Sequence, residues 1–478
     1  MMTNYKLIHN VINEYDPINK KQVKKLWEEI RPSLHHKVIV LDDDPTGVQT
    51  VHGVSVYTDW SYEMIEQGFL EDTQLFFILT NSRAFTASET TKAHKEIAER
   101  VEQVSRKYNK PYLIVSRSDS TLRGHYPLET AVLKETIEKV SGDVIDGEII
   151  FPFFKEGGRL TIGNVHYVRE NDWLVPAGET EFAKDRTFGF QASHLGEWIE
   201  EKTNGKYTKD ETTYISLESI RSLAIHDIEN QLMNVKDFGK VVVNAVNEED
   251  VTVFVIALIQ ALQKGKRFLF RTAAAFTKTI GDIPSRPLLT KNELTQQASD
   301  HGGLIMIGSH VQKTTEQLME LKTLRSLHFI ELNSHLVLDN ENFQKEIESV
   351  RVEAEKNVEN GITTVIYTRR ERLDLGEGMQ EEELKLSVEI SNAVTSIVRN
   401  FRVRPNYIIA KGGITSSDVG TKGLCVKRAI VAGQIASGIP VWQTGEESRF
   451  PHIPYVIFPG NVGTRSTLKE IVQTLEEE

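Results

Sequence analysis

The sequence predicts an α/β protein of two domains, each a mainly parallel sheet flanked by helices, with a ligand cleft between them. Three observations predict it. Short apolar runs recur, each closed by Gly, Pro or polar residues, and many are separated by helical stretches of about 15–20 residues. The 478 residues suffice for two or three separate cores. Gly281–Leu289, with Pro284 and Pro287, breaks the pattern as a linker would. The expected division is a helical extension over 1–30, a first α/β domain over 31–290 and a second over 291–478.

The extension carries Leu7, Val11 and Ile12, then Val23, Leu26, Trp27 and Ile30, at helical spacing around Asp16-Pro17. Such helices pack on the body or serve a subunit contact, as in a homodimer. The first 30 residues hold no signal-peptide core, and no apolar run reaches about 18 residues, so a cytoplasmic location without membrane spans is expected. The net charge of −12 disfavours nucleic acid and anionic membranes as partners. Cys425 is the only cysteine, which excludes an intrachain disulfide and a cysteine-rich zinc site.

Val38–Leu41 is apolar and runs into Asp42, Asp43 and Asp44, then Pro45-Thr46-Gly47. This reads as a buried strand ending at the carboxyl edge of a sheet, where open α/β sheets bind ligands. Three adjacent carboxylates repel one another. Mg2+, a substrate hydroxyl or a nearby arginine would compensate them, unless the turn is simply solvated. Val51–Thr58 is predicted as a second strand. Leu75–Thr80 is a third, ending in Asn81-Ser82-Arg83, and Thr86-Ala87-Ser88-Glu89 caps a helix reaching about Tyr108. Tyr112–Val115 is another strand. It leads into Ser116–Gly124, rich in hydroxyls and bearing Arg117 and Arg123. Arg123 can fork two N–H donors onto a carboxylate, and Ser120 and Thr121 suit polyol hydroxyls; Ser118 or Asp119 could equally cap a helix. Asp42–Gly47, Asn81–Arg83 and Arg117–Gly124 should gather on one edge.

After strand Ile149–Phe151 comes a long polar insertion with Gly157-Gly158-Arg159, then His166, then the loop Thr180–Phe190. Lys240–Asn244, Glu248–Gln263 and Arg267–Arg271 continue as strand, helix and strand. In the second half, Gly303–Ile307 is a strand ending in Gly308-Ser309-His310. Helix Thr314–Leu324, strands Phe329–Leu332 and Thr363–Tyr367 and helix Glu381–Asn400 follow. Strand Tyr407–Ala410 then meets Lys411-Gly412-Gly413-Ile414-Thr415, with a helix expected to about Ala436. Strand, glycine turn and helix start make a phosphate cradle, although such turns are also plain connections. Tyr455–Phe458 opens onto a second glycine turn, Pro459–Thr464. No P-loop run, dinucleotide-type G-x-G-x-x-G, H-E-x-x-H or G-x-S-x-G occurs.

From Val38 to the carboxyl end, the chain resembles the four-carbon acid sugar kinase family. Its carriers are Asp43-Asp44-Pro45-Thr46-Gly47, Asp119–Gly124, the loop around Gly158-Arg159, Thr180–Phe190, Gly308-Ser309, Gly412–Thr415 and Pro459-Gly460-Asn461. The resemblance implies an ATP- and Mg2+-dependent kinase phosphorylating D-threonate, D-erythronate or 3-oxo-tetronate, with the acid sugar on the first domain and the nucleotide on the second. It implies that Arg117, Asp119, Ser120, Thr121, Arg123, Gly124, Gly158 and Arg159 face the sugar acid. Ser309, Gly412, Gly413, Ile414, Thr415, Gly460 and Asn461 would hold the nucleotide, and Asp43 or Asp44 would take the proton of the acceptor hydroxyl. Metal ligands are not identified. A non-catalytic sensor of the two ligands and an NAD-linked hydroxy-acid dehydrogenase are the alternatives; the missing glycine fingerprint counts against the latter.

Overall fold

The computed structural model describes residues 5–12, 14–294, 299–371, 380–460 and 462–476; the side chains of residues 9, 12 and 380–384 are also outside the description. The chain forms two compact units. One is Met1–Gly47 with Asp59–Pro284, the other Val48–Thr58 with Ser285–Glu478. The segment Val48–Thr58, expected in the first domain, therefore belongs with the second.

The strands of the first unit are β1 (Lys6–Leu7), β2 (Lys37–Asp42) and, after β3 (Ser55–Tyr57) of the other unit, β4 (Leu75–Leu79), β5 (Tyr112–Arg117), β6 (Gly147–Phe151), β7 (Arg159–Ile162), β8 (Val165–Glu170), β9 (Trp173–Pro176), β10 (Thr213–Ile215), β11 (Gly239–Val243) and β12 (Phe268–Thr272). Seven of them lie in the order β10-β11-β6-β12-β5-β2-β4, and every neighbouring pair is parallel. Every residue of β2, β4, β6 and β12 is buried, as expected where helices cover both faces of a parallel sheet. The helix Ala87–Tyr108 starts at the predicted capping box, Thr86 with Glu89.

The polar insertion is not loop throughout. β7, β8 and β9 form an antiparallel sheet, joined at its edge by β1. The sequences of β7 and β8 (RLTI, VHYVRE) are short and mixed, and that of β9 (WLVP) is a four-residue apolar run ending in proline, so together they lack the pattern of buried parallel strands alternating with helices.

The amino-terminal extension packs on this unit. Val23 is buried, Trp27 Nε1 donates to Asp282 at 2.9 Å, and Lys20 pairs with Glu249 at 2.6 Å.

The second unit holds β3 and β13 (Leu304–Ile307), β14 (His328–Leu332), β15 (Thr364–Thr368), β16 (Ile408–Lys411), β17 (Arg428–Ala436), β18 (Ile439–Thr444) and β19 (Pro454–Phe458). β19-β16-β13-β15-β14 are parallel, and β3-β17-β18-β19 are antiparallel. One expectation is corrected here. The helix after Gly412 covers only Gly413–Asp418, passes into a wide turn over Val419–Gly423, and gives way to β17 rather than running to Ala436. Burial alternates residue by residue along β17. That period of two overrides the helix propensity of its alanines.

Candidate functional site

In the first unit, the carboxyl ends of β2, β4 and β5 bring the three polar segments together as expected. The arginines resolve the crowding of acids. Arg117 Nη1 lies 3.4 Å from Asp42. Arg83, just beyond β4, grips Asp43 with two donors, Nη2 at 2.6 Å and Nε at 3.2 Å, and reaches Asp44 at 3.4 Å. Gly47 has to be glycine, because a Cβ there would stand 1.9 Å from the Asp42 carboxylate oxygens. Burial raises the carboxyls of Asp42 and Asp43 above the usual range, against the pull of Arg117 and Arg83 respectively. Asp44 differs. Burial pushes it up, but Arg83 and hydrogen bonds from the Thr46 hydroxyl and amide outweigh this and hold it low. Its side chain is 20% exposed against 3% for Asp43, so of the two it is the one open to a ligand.

The Ser116–Gly124 turn is held from below and from the side. Arg271, at the end of β12, donates to Ser118 Oγ at 2.8 Å and to the Arg123 carbonyl at 2.9 Å, and lies 3.6 Å from the buried Glu129. Glu129 in turn accepts from Ser82, Ser116 and Ser118. From β8, His166 Nε2 donates to the Ser120 carbonyl at 2.8 Å, and its Nδ1 accepts from Thr161 at 3.0 Å. Burial lowers His166 to about 4, so it is a neutral brace. Gly124 adopts φ +116°, a backbone that favours glycine.

The predicted sugar-facing residues meet unevenly. Arg123 is engaged by its own turn, at 2.7 Å from Asp119, and by Asp185 at 3.7 Å; Thr121 also bonds Asp119. Arg83, Arg123 and the Thr121 bond hold Asp119 low despite its burial. Ser120 is buried, with its backbone used by His166. Gly158, at φ +73°, closes the turn from Phe154 into β7. Arg159 stands apart. Its guanidinium donates to the Gly157 carbonyl and lies over the Phe182 ring, 5.6 Å from the centroid, with Arg123 at 5.1 Å from the same centroid. Its buried Nε has no partner, no ion pair forms with a described carboxylate, and burial lowers its pKa. Asp119 acts on it only from beyond ion-pair distance, and a guanidinium without a contacting carboxylate beside a hydroxyl-rich turn is a seat for an anion. The Arg83–Asp43 clamp and the Phe182 platform were missed by sequence reasoning. Arg83 was detectable as an arginine at a strand end; Phe182 gave no signal.

In the second unit, β13, β16 and β19 end in the three predicted glycine turns. Gly308, Ser309, Thr368, Gly412–Thr415 and the helix residues Ile390, Ser391 and Val394 line a cavity of about 320 Å3, within the range of small-molecule sites. The turns are close-fitting. A Cβ on Gly308 would meet Thr415 Oγ1 at 2.5 Å, and one on Gly412, at φ +125°, would meet Ser309 Cβ at 2.9 Å. A Cβ on Gly413 would meet nothing within 4 Å. Ile414 is exposed at the rim, and Gly460 stands beside Ser309. Asn461 lies outside the described residues. Arg370, past β15, donates to the Ser309 carbonyl at 2.6 Å and to Thr315 at 2.9 Å, while its Nε and Nη1 are buried without partners. Close-packed glycines around a hydroxyl, with cations behind, suit a polyphosphate.

Among the described residues, no group of three or more His, Cys, Asp or Glu is arranged to hold a metal ion. Arginines engage Asp42 and Asp43, so the donor set does not form a resident metal cage. No described helix is long and apolar enough to cross a membrane.

Comparison with known proteins finds two family models, one on either side of Pro284. A model described as a sugar-binding N-terminal domain matches residues 38–280, and one described as a nucleotide-binding C-terminal domain matches residues 304–468. A solved structure from Salmonella typhimurium LT2, provisionally named a tRNA synthase, is 14% identical over 92% of this chain and 98% of that chain, with a TM-score of 0.64. A Haemophilus influenzae protein is 16% identical over 91% and 99%, with a TM-score of 0.56. At such identities the likeness establishes the fold alone. Comparison with curated proteins finds no match.

Proposed function

Because the chain belongs to the four-carbon acid sugar kinase family, joining a sugar-binding domain to a nucleotide-binding one, we propose that it is an ATP-dependent kinase. Its acceptor would be a hydroxyl of a four-carbon sugar acid of the threonate, erythronate or oxo-tetronate type. The observation that carries this reading is Arg159: a half-buried guanidinium whose Nε is buried without a partner, which forms no ion pair with a described carboxylate and feels Asp119 only at a distance, beside the Ser116–Gly124 hydroxyls. A sugar acid supplies the missing carboxylate and offers hydroxyls to that turn.

Each part then has a task. Arg159 binds and orients the carboxylate. Phe182 keeps the guanidinium flat and drier, which strengthens the pair. Asp44, ionised and partly open, accepts the proton of the attacking hydroxyl; Arg83 and Thr46 hold it in place. In the other unit, the turns at Gly308, Gly412 and Gly460 cradle the nucleotide phosphates, and Arg370 and Lys411 offset their charge. Mg2+ would arrive with ATP as part of the substrate, largely bound by phosphates and water. Phosphoryl transfer asks the protein for alignment and charge neutralisation rather than covalent chemistry.

The test is incubation with ATP, Mg2+ and a panel of tetronates and their epimers. ADP release that depends on one acid, with a phosphorylated acid recovered, is expected. Saturable binding of ATP and an acid with no ADP formed would mark a sensor instead.

A further inference from the structure

Lys411 is the last residue of β16, between β19 and β13 in the sheet, and is fully buried. Its ammonium crosses to the neighbouring turn and donates to the Pro459 carbonyl at 2.6 Å and the Gly460 carbonyl at 3.1 Å, 4.0 Å from the Phe458 ring centroid. The Gly460 carbonyl also accepts from Thr314 Oγ1 at 3.4 Å, and Thr314 lies 3.4 Å from Ser309 Oγ. One cation therefore ties the turn after β19 to the turn after β16, and Thr314 extends the tie to the turn after β13.

The charges around Lys411 are mostly of its own sign. Lys313 faces it from the helix Gln312–Leu321, and Arg370 sits behind Ser309 past β15. His310 is in the β13 turn. Asp418, at the end of the helix Gly413–Asp418, is paired with Lys422 at 2.8 Å. The Phe458 end of β19 offers a ring and carbonyls. No described carboxylate pairs with Lys411.

We propose that Lys411 is a positioning residue of the nucleotide pocket, and that polyphosphate binding there is coupled to proton uptake by its side chain. This rests on the nucleotide reading of the pocket. The empty frame is a poor host for a cation: burial first, then Lys313, lower Lys411 to about 7. A polyphosphate beside Gly412 and Gly460 reverses the balance and favours the ammonium. The sign follows. Lys411 is charged below about 7 in the free protein, so nucleotide affinity is greatest there. It falls as pH rises, by up to about tenfold per unit, until the bound-state value is passed.

The experiment is calorimetric titration of the full chain with MgADP in two buffers of different ionisation enthalpy. At about pH 7.5 the wild type should take up roughly half to one proton per nucleotide, declining toward zero near about pH 5.5. K411R should keep affinity within about threefold, because an arginine still reaches both carbonyls, yet take up no proton, because it does not titrate in this range. H310Q should leave uptake in place. Binding of MgADP to the wild type without proton exchange overturns the proposal, as does undiminished uptake in K411R or lost uptake in H310Q. No binding of MgADP to the wild type would bring down the nucleotide reading itself, and the proposal with it. The wild-type measurement stands even if K411R does not fold.

Discussion

The two units treat charge in opposite ways. In the sugar-binding unit, acids and arginines largely cancel in pairs: Asp42 with Arg117, Asp43 with Arg83, Asp119 with Arg123. Arg159, beside them, forms no ion pair with a described carboxylate. In the nucleotide-binding unit, Arg370 and Lys411 are desolvated with no described carboxylate against them. The first arrangement suits a ligand with one negative group and several neutral hydroxyls. The second suits a ligand that concentrates negative charge. On the proposed function, specificity on one side would come from geometry, and on the other from a field of one sign.

The sharpest way to break this contrast is Arg83→Ala. It leaves Asp43 buried without its partner, and breaking such a pair costs about 3–5 kcal/mol. Urea unfolding should show a loss of that order. A loss under 1 kcal/mol would mean that the pairs are not what steadies the acidic turn.

Acid should weaken the sugar-binding unit through His166. Its folded pKa, about 4, lies below the unfolded value near 6.5, so the unfolded chain binds the proton first. Stability is then full above about 6.5 and falls by up to about 3 kcal/mol as pH drops toward 4. A His166→Gln variant should flatten this limb of a stability–pH series. For Lys411, lowered to about 7 from near 10.5, the effect on folding stability has the same sign as for His166; it is nucleotide affinity that runs the other way, strongest at low pH.

Arg159→Ala should reduce kcat/KM for the acid by about 2–3 kcal/mol while leaving the KM for ATP nearly unchanged. Arg123→Ala should cost less, because Arg123 is engaged by Asp119. Equal losses in the two variants would reverse that ranking.

The smallest effects separate two glycines of the nucleotide turns. Gly412→Ala strains a φ of +125° and crowds Ser309, at about 1–2 kcal/mol in nucleotide affinity. Gly460→Ala meets nothing closer than 3.6 Å and should change affinity less than about threefold. Fluorescence titration of both variants with a labelled ADP would tell them apart.

Much of this was legible in the sequence. Buried parallel strands announce themselves as unbroken apolar runs, and Val38–Leu41, Leu75–Thr80 and Tyr455–Phe458 all became strands. The gathering of Asp42–Gly47, Asn81–Arg83 and Arg117–Gly124 followed from strand polarity alone. What escaped was decided by contacts distant in sequence. β17 looked helical because Ala429, Ala432 and Ala436 favour helix, and only its antiparallel neighbours β3 and β18 make its alternation count. The β7–β9 sheet was hidden in short, mixed runs. The engagement of Arg123 by Asp119, against the isolation of Arg159, depends on side-chain directions that no spacing reveals.

The excursion of Val48–Thr58 has a practical consequence. The polypeptide leaves the first unit immediately after the acidic turn, contributes β3 to the second, and returns at Asp59 before its last crossing near Pro284. A cut at that last crossing would not release two self-sufficient fragments. The carboxyl-terminal piece would show a bare β17 edge, ready to aggregate, and the amino-terminal piece would trail an orphaned ribbon beside its own acidic turn. Whoever wishes to express the halves separately must graft residues 48–58 onto the second, and close the gap between Gly47 and Asp59 in the first.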